Sequence, residues 1–216
     1  MKKSDKAGKY SAVVFDLGGV LSLGKKINEM EGVHEEVAKT LKFSTDSYFD
    51  AIDSVYSDAI EGKISRAKSV NTMAKNLGTT PKRLVRIYTK TYRKNFKRNM
   101  QLYRFALSLK RAGYKIGIIS DIWYVAKDVF FYNDYYKNFD CVLASCDVGS
   151  RKSGKKIFQV AAKKLKLSPK EIVFTDNNSW NLTAPKKLGI ETIKFKNNKQ
   201  LIMKLKSLGV STDGRT

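Results

Sequence analysis

Residues 11–21 read Ser11-Ala12-Val13-Val14-Phe15-Asp16-Leu17-Gly18-Gly19-Val20-Leu21. A short apolar run, a carboxylate and a Gly-Gly pair spell a buried strand that ends in a tight turn. Similar runs follow at 115–120 (KIGIIS), 141–145 (CVLAS), 172–176 (IVFTD) and 192–195 (TIKF). Helical segments are expected between them, including 101–112 and 156–167, and that alternation predicts a parallel α/β sheet. Between residues 25 and 100 no comparable run occurs. The pattern there predicts helices at 35–41, 47–60, 65–76 and 81–96, the last with Pro81 in its first turn. The expected organisation is an α/β core built from 1–22 and 101–216, with an all-helical cap inserted over 23–100.

The 216 residues are 42% hydrophobic and 11% aromatic, enough for one sizeable core and against wholesale disorder. No run approaches the ~18 apolar residues of a membrane span. Residues 1–10 form a polar, Lys-rich lead-in without the apolar centre of a signal peptide. Cys141 and Cys146 are too few for a disulfide framework, and no Cys/His pattern suits zinc. A cytoplasmic, reducing setting is expected, with no membrane partner. The single histidine, His34, is expected on a solvated loop or helix surface.

The net charge of +22 is unevenly spread: residues 62–120 hold 16 Lys and Arg and no acidic residue. Such a stretch creates a positive field, expected either to gather a phosphorylated substrate or to bind nucleic acid or another polyanion. Leu84, Tyr88 and Tyr92 recur at helical spacing within it. They could stack nucleic-acid bases, but that spacing favours a core stripe.

Ligands of parallel α/β sheets bind at the carboxyl ends of the strands, where Asp16, Ser120 and Asp176 all stand. Asp16 could be a nucleophile, a metal ligand or a turn cap. Ser120 could donate to an anion or cap a helix. Lys152, in Gly149-Ser150-Arg151-Lys152-Ser153-Gly154, could balance a substrate's charge. Asp16 and Asp176 together could hold a hard divalent cation, which takes oxygen ligands.

In this order the four segments resemble the motifs of the haloacid dehalogenase-like (HAD) hydrolase superfamily. Residues 13–21 are similar to its nucleophile loop and 116–120 to its second motif. Lys152 is similar to the third, and Val173-Phe174-Thr175-Asp176 to the fourth. The resemblance spans about residues 11–196 and implies a Rossmann-like core with helices on both faces and a helical cap between motifs one and two. It further implies a phosphatase-type mechanism. Asp16 would be the nucleophile that forms an aspartyl-phosphate. Ser120 and Lys152 would serve catalysis and, with Asp121, substrate binding. Asp16, Gly18, Asp176 and Asn177 would hold Mg²⁺.

The sequence departs from the family pattern at informative positions. Gly18 stands where the family's phosphatases place a second Asp as general acid/base. Asn177 replaces the second of a pair of acids, Asp121 stands where Asn is usual, and Pro185 interrupts the helix expected after the fourth motif. Two other readings follow. One is a catalytically weak or inactive HAD-fold protein that binds polyanions through residues 62–120. The other is a metal-independent haloacid dehalogenase, which 176–180 (DNNSW) also resembles, although its first Arg, Arg66, lies late for that family's cap arginine.

Overall fold

Strand β1 (Ala12–Phe15) forms because four consecutive apolar residues can be buried on both faces only at the centre of a covered sheet. The computed structural model describes residues 8–24, 29–131 and 136–213; most of the lead-in noted above, residues 1–7, lies outside them. In it β1 is the middle of five parallel strands. It pairs with β4 (Lys115–Ser120) on one side and β6 (Ile172–Asp176) on the other, and β5 (Cys141–Ala144) and β7 (Glu191–Lys194) form the edges. The order β5-β4-β1-β6-β7 reverses direction at β1, so the ends of β1, β4 and β6 open onto one crevice.

The period-two alternation of the strands divides the core. Val13, Phe15, Ile116, Ile118 and Val173 face one side, against α5 (Met100–Arg111) and α10 (Asn198–Ser207). Ala12, Val14, Ile119 and Phe174 face the other, under α8 (Lys156–Leu165).

The segment between β1 and β4 contains α1 (Glu29–Leu41), α2 (Thr45–Ile60), α3 (Arg66–Asn76) and α4 (Pro81–Asn95). Helix α4 starts where the Thr80 side chain accepts from Arg83 N and where Pro81 sacrifices no helical hydrogen bond. Its Leu84, Tyr88 and Tyr92 are fully buried, which makes them a core stripe and excludes base stacking. The chain enters and leaves this region through a ribbon that the sequence pattern missed. Strand β2 (Ser22–Gly24) pairs antiparallel with β3 (Phe96–Arg98), and Asn99 ties it down by donating to Val20 O at 2.9 Å.

The four helices share one apolar cluster with the sheet. Trp123, at the start of α6 (Tyr124–Phe131), is fully buried between them and donates from Nε1 to Tyr92 Oη at 2.9 Å. Its ring lies 4.8 Å from Tyr88 and 5.5 Å from Tyr56. Burial of each such side chain contributes roughly 1.5–3 kcal/mol. At the opposite corner Gly62, at φ +66°, packs so closely on α7 (Ser145–Val148) that a Cβ there would lie 2.5 Å from Cys146 O.

His34 is not solvated. Only 4% exposed, it meets Tyr48 Oη at 3.0 Å through Nδ1 and sits edge-on to Tyr56. Helix α1 turns it inward because its neighbours Val33 and Val37 belong to the same buried face. Pro185 breaks nothing: after a 3-10 turn at Ser179–Leu182 the next helix, α9 (Thr183–Lys186), begins only at Thr183. Pro185 therefore falls in a first turn, where an amide proton has no helical partner. None of the described helices is long and apolar enough to cross a membrane.

Candidate active site

Asp16 follows β1 directly, and its amide donates to Thr175 O at 2.9 Å, which fixes the nucleophile loop to β6. The chain then turns tightly, with Ser22 N donating to Leu17 O at 2.7 Å. Gly19 takes φ +75°, and a Cβ there would lie 2.3 Å from Asn177 Nδ2, so glycine is needed both for the turn and to admit Asn177. Gly18 has no such constraint: a Cβ there meets nothing within 4 Å.

Lys152 reaches the same point from the loop between α7 and α8. Its ammonium lies 2.7 Å from Asp16 Oδ1 and 2.7 Å from Asp176 Oδ2, and all three side chains are buried. Asp121 anchors that loop: its Oδ1 accepts from Lys152 N at 2.8 Å and its Oδ2 lies 3.6 Å from Arg151 Nε. Asp121 thus positions the Lys152 loop and also lines the crevice. Asp176 also accepts from Asn178 N at 2.7 Å and from Asn181 Nδ2 at 3.1 Å. Asn181 was missed by the sequence reading, because only the 3-10 turn after Asn178 brings it back beneath the strand end.

Burial pushes the Asp16 carboxyl above the usual carboxylate range, the Lys152 ammonium opposes that rise, and the Asp176 charge adds to it. Burial would likewise pull the Lys152 ammonium down, but Asp16 and Asp176 outweigh it and hold Lys152 charged. A Lys ammonium has three donors, and the two carboxylates engage two of them. The third is available to an anion.

The Asn177 amide lies 3.2 Å from Gly18 O and 3.3 Å from Asp16 Oδ2. With its nitrogen inward it donates to both. With its oxygen inward, three oxygens converge without a donor, which is the ligand chemistry of a hard divalent cation. The residues present therefore fit Mg²⁺. Asp176 stands behind this group, held by Lys152.

Asp16, Gly18, Ser120, Asp121, Lys152 and Asn177 line one cavity of about 550 Å³ between the strand ends and the helices. Its upper wall comes from α2, β3 and α6 and includes Phe49, Asp53, Tyr56, Phe96 and Phe130. Among the described residues, the basic side chains on the wall are Arg151 and Lys152, apart from the neutral His34. None of the 16 Lys and Arg between 62 and 120 lines it. Arg66 turns outward to pair with Asp128 at 2.8 Å.

A model of the haloacid dehalogenase-like hydrolases matches residues 10–189. Among curated proteins, mouse acyl-CoA dehydrogenase family member 10 is 32% identical over 104 residues, 48% of this chain and 10% of that protein. Pig bifunctional epoxide hydrolase 2 is 23% identical over 213 residues, 91% of this chain and 38% of that protein. The chain thus spans less than half the length of these relatives. Among solved structures, a protein described as a predicted HAD-like family hydrolase from Porphyromonas gingivalis superposes with a TM-score of 0.74 at 20% identity, covering 94% of this chain and 99% of that one. A HAD family enzyme from Bacteroides thetaiotaomicron, in complex with magnesium and inorganic phosphate, gives 0.68 at 20% identity, over 87% and 94%. L-2-haloacid dehalogenase from Xanthobacter autotrophicus, with chloropropionic acid covalently bound, gives 0.59 at 15% identity, over 94% and 84%.

Proposed function

The chain belongs to the haloacid dehalogenase-like hydrolases, and from that membership we propose that it is a Mg²⁺-dependent phosphohydrolase of small phosphorylated compounds. The observation that carries this reading is the Asp16–Lys152–Asp176 group at the floor of a cavity, beside the Gly18 carbonyl and the Asn177 amide.

The ionised Asp16 attacks phosphorus in line, forming a P–O bond to its carboxylate as the ester oxygen leaves with the bonding pair. Water then attacks the aspartyl-phosphate, releasing inorganic phosphate and restoring Asp16. Lys152 favours the ionised form of Asp16 against the effect of burial and presents its third donor to a phosphoryl oxygen. Ser120, buried at the end of β4 and lining the cavity, offers its hydroxyl to another. Mg²⁺, held by Asp16, the Gly18 carbonyl and Asn177 with Asp176 behind them, would offset the charge of nucleophile and phosphate.

Dehalogenation is disfavoured, because Arg66 is engaged at the surface and a carboxylate, Asp176, paired with Lys152, stands where the resemblance to dehalogenases implies a neutral residue. A second reading rests on α4, whose Lys82, Arg83, Arg86, Lys90 and Arg93 are all exposed. This face would hold a polyanion through phosphate contacts, with an affinity that falls steeply with salt. The experiment that decides is Mg²⁺-dependent phosphate release from a panel of small phosphoesters, with Asp16→Asn as control. Turnover that needs Mg²⁺ and disappears in Asp16→Asn supports the phosphohydrolase. Turnover that survives the substitution refutes the assignment of Asp16.

A further inference from the structure

Resting on the phosphohydrolase reading, we infer that the substrate is the monophosphate ester of a phenol or a similarly acidic hydroxyl, with an aromatic body and no second anionic group. Three independent features of the cavity converge on it.

The first is what is missing beside the nucleophile. Gly18 supplies no proton donor for the departing oxygen. Three cavity-lining side chains that could donate are engaged elsewhere. Asp121 holds the Lys152 loop, Lys152 bridges two carboxylates, and His34 is neutral and turned to Tyr48. A general acid contributes ~10²–10⁴-fold when the leaving group is a poor one. A phenol ionises near 10, as the Tyr side chain does, and its oxyanion departs without that help.

The second feature is the wall. Phe49 and Tyr56 from α2, Phe96 from β3, Phe130 from α6 and Trp180 beside motif four all face the cavity. Trp180 is 70% exposed, an unusual position for so large an apolar surface unless a ligand covers it. A volume of about 550 Å³ lies within the range of small-molecule sites, roughly 300–1,000 Å³, in which apolar walls take the body of the ligand and a few polar groups orient it.

The third is charge. Lys152 serves the transferred phosphoryl group, Arg151 is drawn to Asp121, and among the described residues the remaining charged group on the upper wall is the carboxylate of Asp53. A second phosphate or a carboxylate on the substrate would face Asp53 across a half-enclosed space. An uncharged or amine-bearing body would not.

The test is steady-state phosphate release, in Mg²⁺, from 2-naphthyl, phenyl, benzyl and 4-carboxyphenyl phosphates and from glycerol 3-phosphate. Benzyl phosphate keeps the ring but has an aliphatic leaving oxygen, which separates the first feature from the second. Phenyl phosphate should exceed benzyl phosphate in kcat/KM by ~10²–10⁴-fold. 2-Naphthyl phosphate should be the best substrate, and glycerol 3-phosphate and 4-carboxyphenyl phosphate should fall below the uncharged compound of the same leaving-group class. Gly18→Asp, whose side chain has open space to enter, should narrow the phenyl-to-benzyl ratio at least about ten-fold by restoring the acid. Trp180→Ala should raise KM for 2-naphthyl phosphate about five-fold with kcat retained. Asp53→Asn should improve kcat/KM for 4-carboxyphenyl phosphate selectively. Glycerol 3-phosphate turned over as well as phenyl phosphate would overturn this inference and leave the phosphohydrolase standing. Phosphate released from none of the five would overturn both.

Discussion

The Lys152 ammonium lies 2.7 Å from Asp16 Oδ1 with both side chains about 4% exposed, so the charge of the nucleophile is balanced inside the protein. The same ammonium keeps Asp16 and Asp176 from facing each other as unshielded anions. Removing one partner of a buried pair leaves an uncompensated charge, at a cost of about 3–5 kcal/mol.

Lys152→Met is therefore expected to destabilise the fold by that amount and to abolish turnover. Asp16→Asn introduced into Lys152→Met should recover part of the lost stability, since it removes one of the two abandoned carboxylates. Denaturant unfolding of the two single variants and the double variant measures this coupling. Additive losses would mean that the charges do not interact.

The adjacent glycines should respond in opposite ways. Gly19→Ala forces a Cβ onto φ +75° and into Asn177, 2.3 Å away. It should cost more than ~1 kcal/mol, the size at which strained glycine replacements begin to exceed entropic gains. It should also weaken Mg²⁺ binding, because Asn177 must move. Gly18→Ala meets nothing within 4 Å and should leave the melting temperature nearly unchanged. Thermal melts and Mg²⁺ titration of the two variants check the contrast, and equal behaviour would refute it.

The residues that sequence reading placed at strand ends were legible because each closes a run buried on both faces. Asp16, Ser120 and Asp176 could be located from apolar runs alone, and the family resemblance supplied Lys152. The β2–β3 ribbon was not legible: three residues per strand are too few to show alternation, and Phe96 reads as the continuation of α4. His34 was misread for a different reason. Its burial depends on Tyr48 and Tyr88, which other helices bring to it, and no local pattern encodes that meeting. Asn181 and the engagement of Asp121 with the Lys152 loop likewise arise from loop geometry. The charge of residues 62–120 was conspicuous in the sequence, yet none of it lines the cavity, and on α4 a helix that buries Leu84, Tyr88 and Tyr92 must present its lysines and arginines to solvent.

Gly62 offers a test of how the helices of residues 29–95 are held over the site. Its φ of +66° and the 2.5 Å approach of a Cβ to Cys146 O leave no room for a side chain against a backbone that cannot rotate away. Gly62→Ala should separate this corner, exposing Tyr124, whose hydroxyl donates to Ile64 O at 2.9 Å. Increased amide exchange at 60–66 and 145–148, with the sheet still protected, is the expected outcome. Unchanged exchange at both segments would show that the contact does not hold the two regions together.

His34 makes stability depend on acidity. Burial lowers its pKa to about 4 in the folded chain, against an ordinary value of 6.5 once unfolded. Between those values the unfolded chain binds the additional proton, so protonation favours unfolding. The His34 contribution is intact above pH 6.5, declines as pH falls through the window and levels off below about 4. Its full size is ~3 kcal/mol, taking 1.36 kcal/mol per pKa unit. Denaturant unfolding at pH 7, 5.5 and 4.5 should show this loss in the wild type. His34→Gln, which can retain a hydrogen bond to Tyr48 but cannot titrate, should flatten it. A slope that persists unchanged in His34→Gln would assign the acid sensitivity to the carboxylates instead.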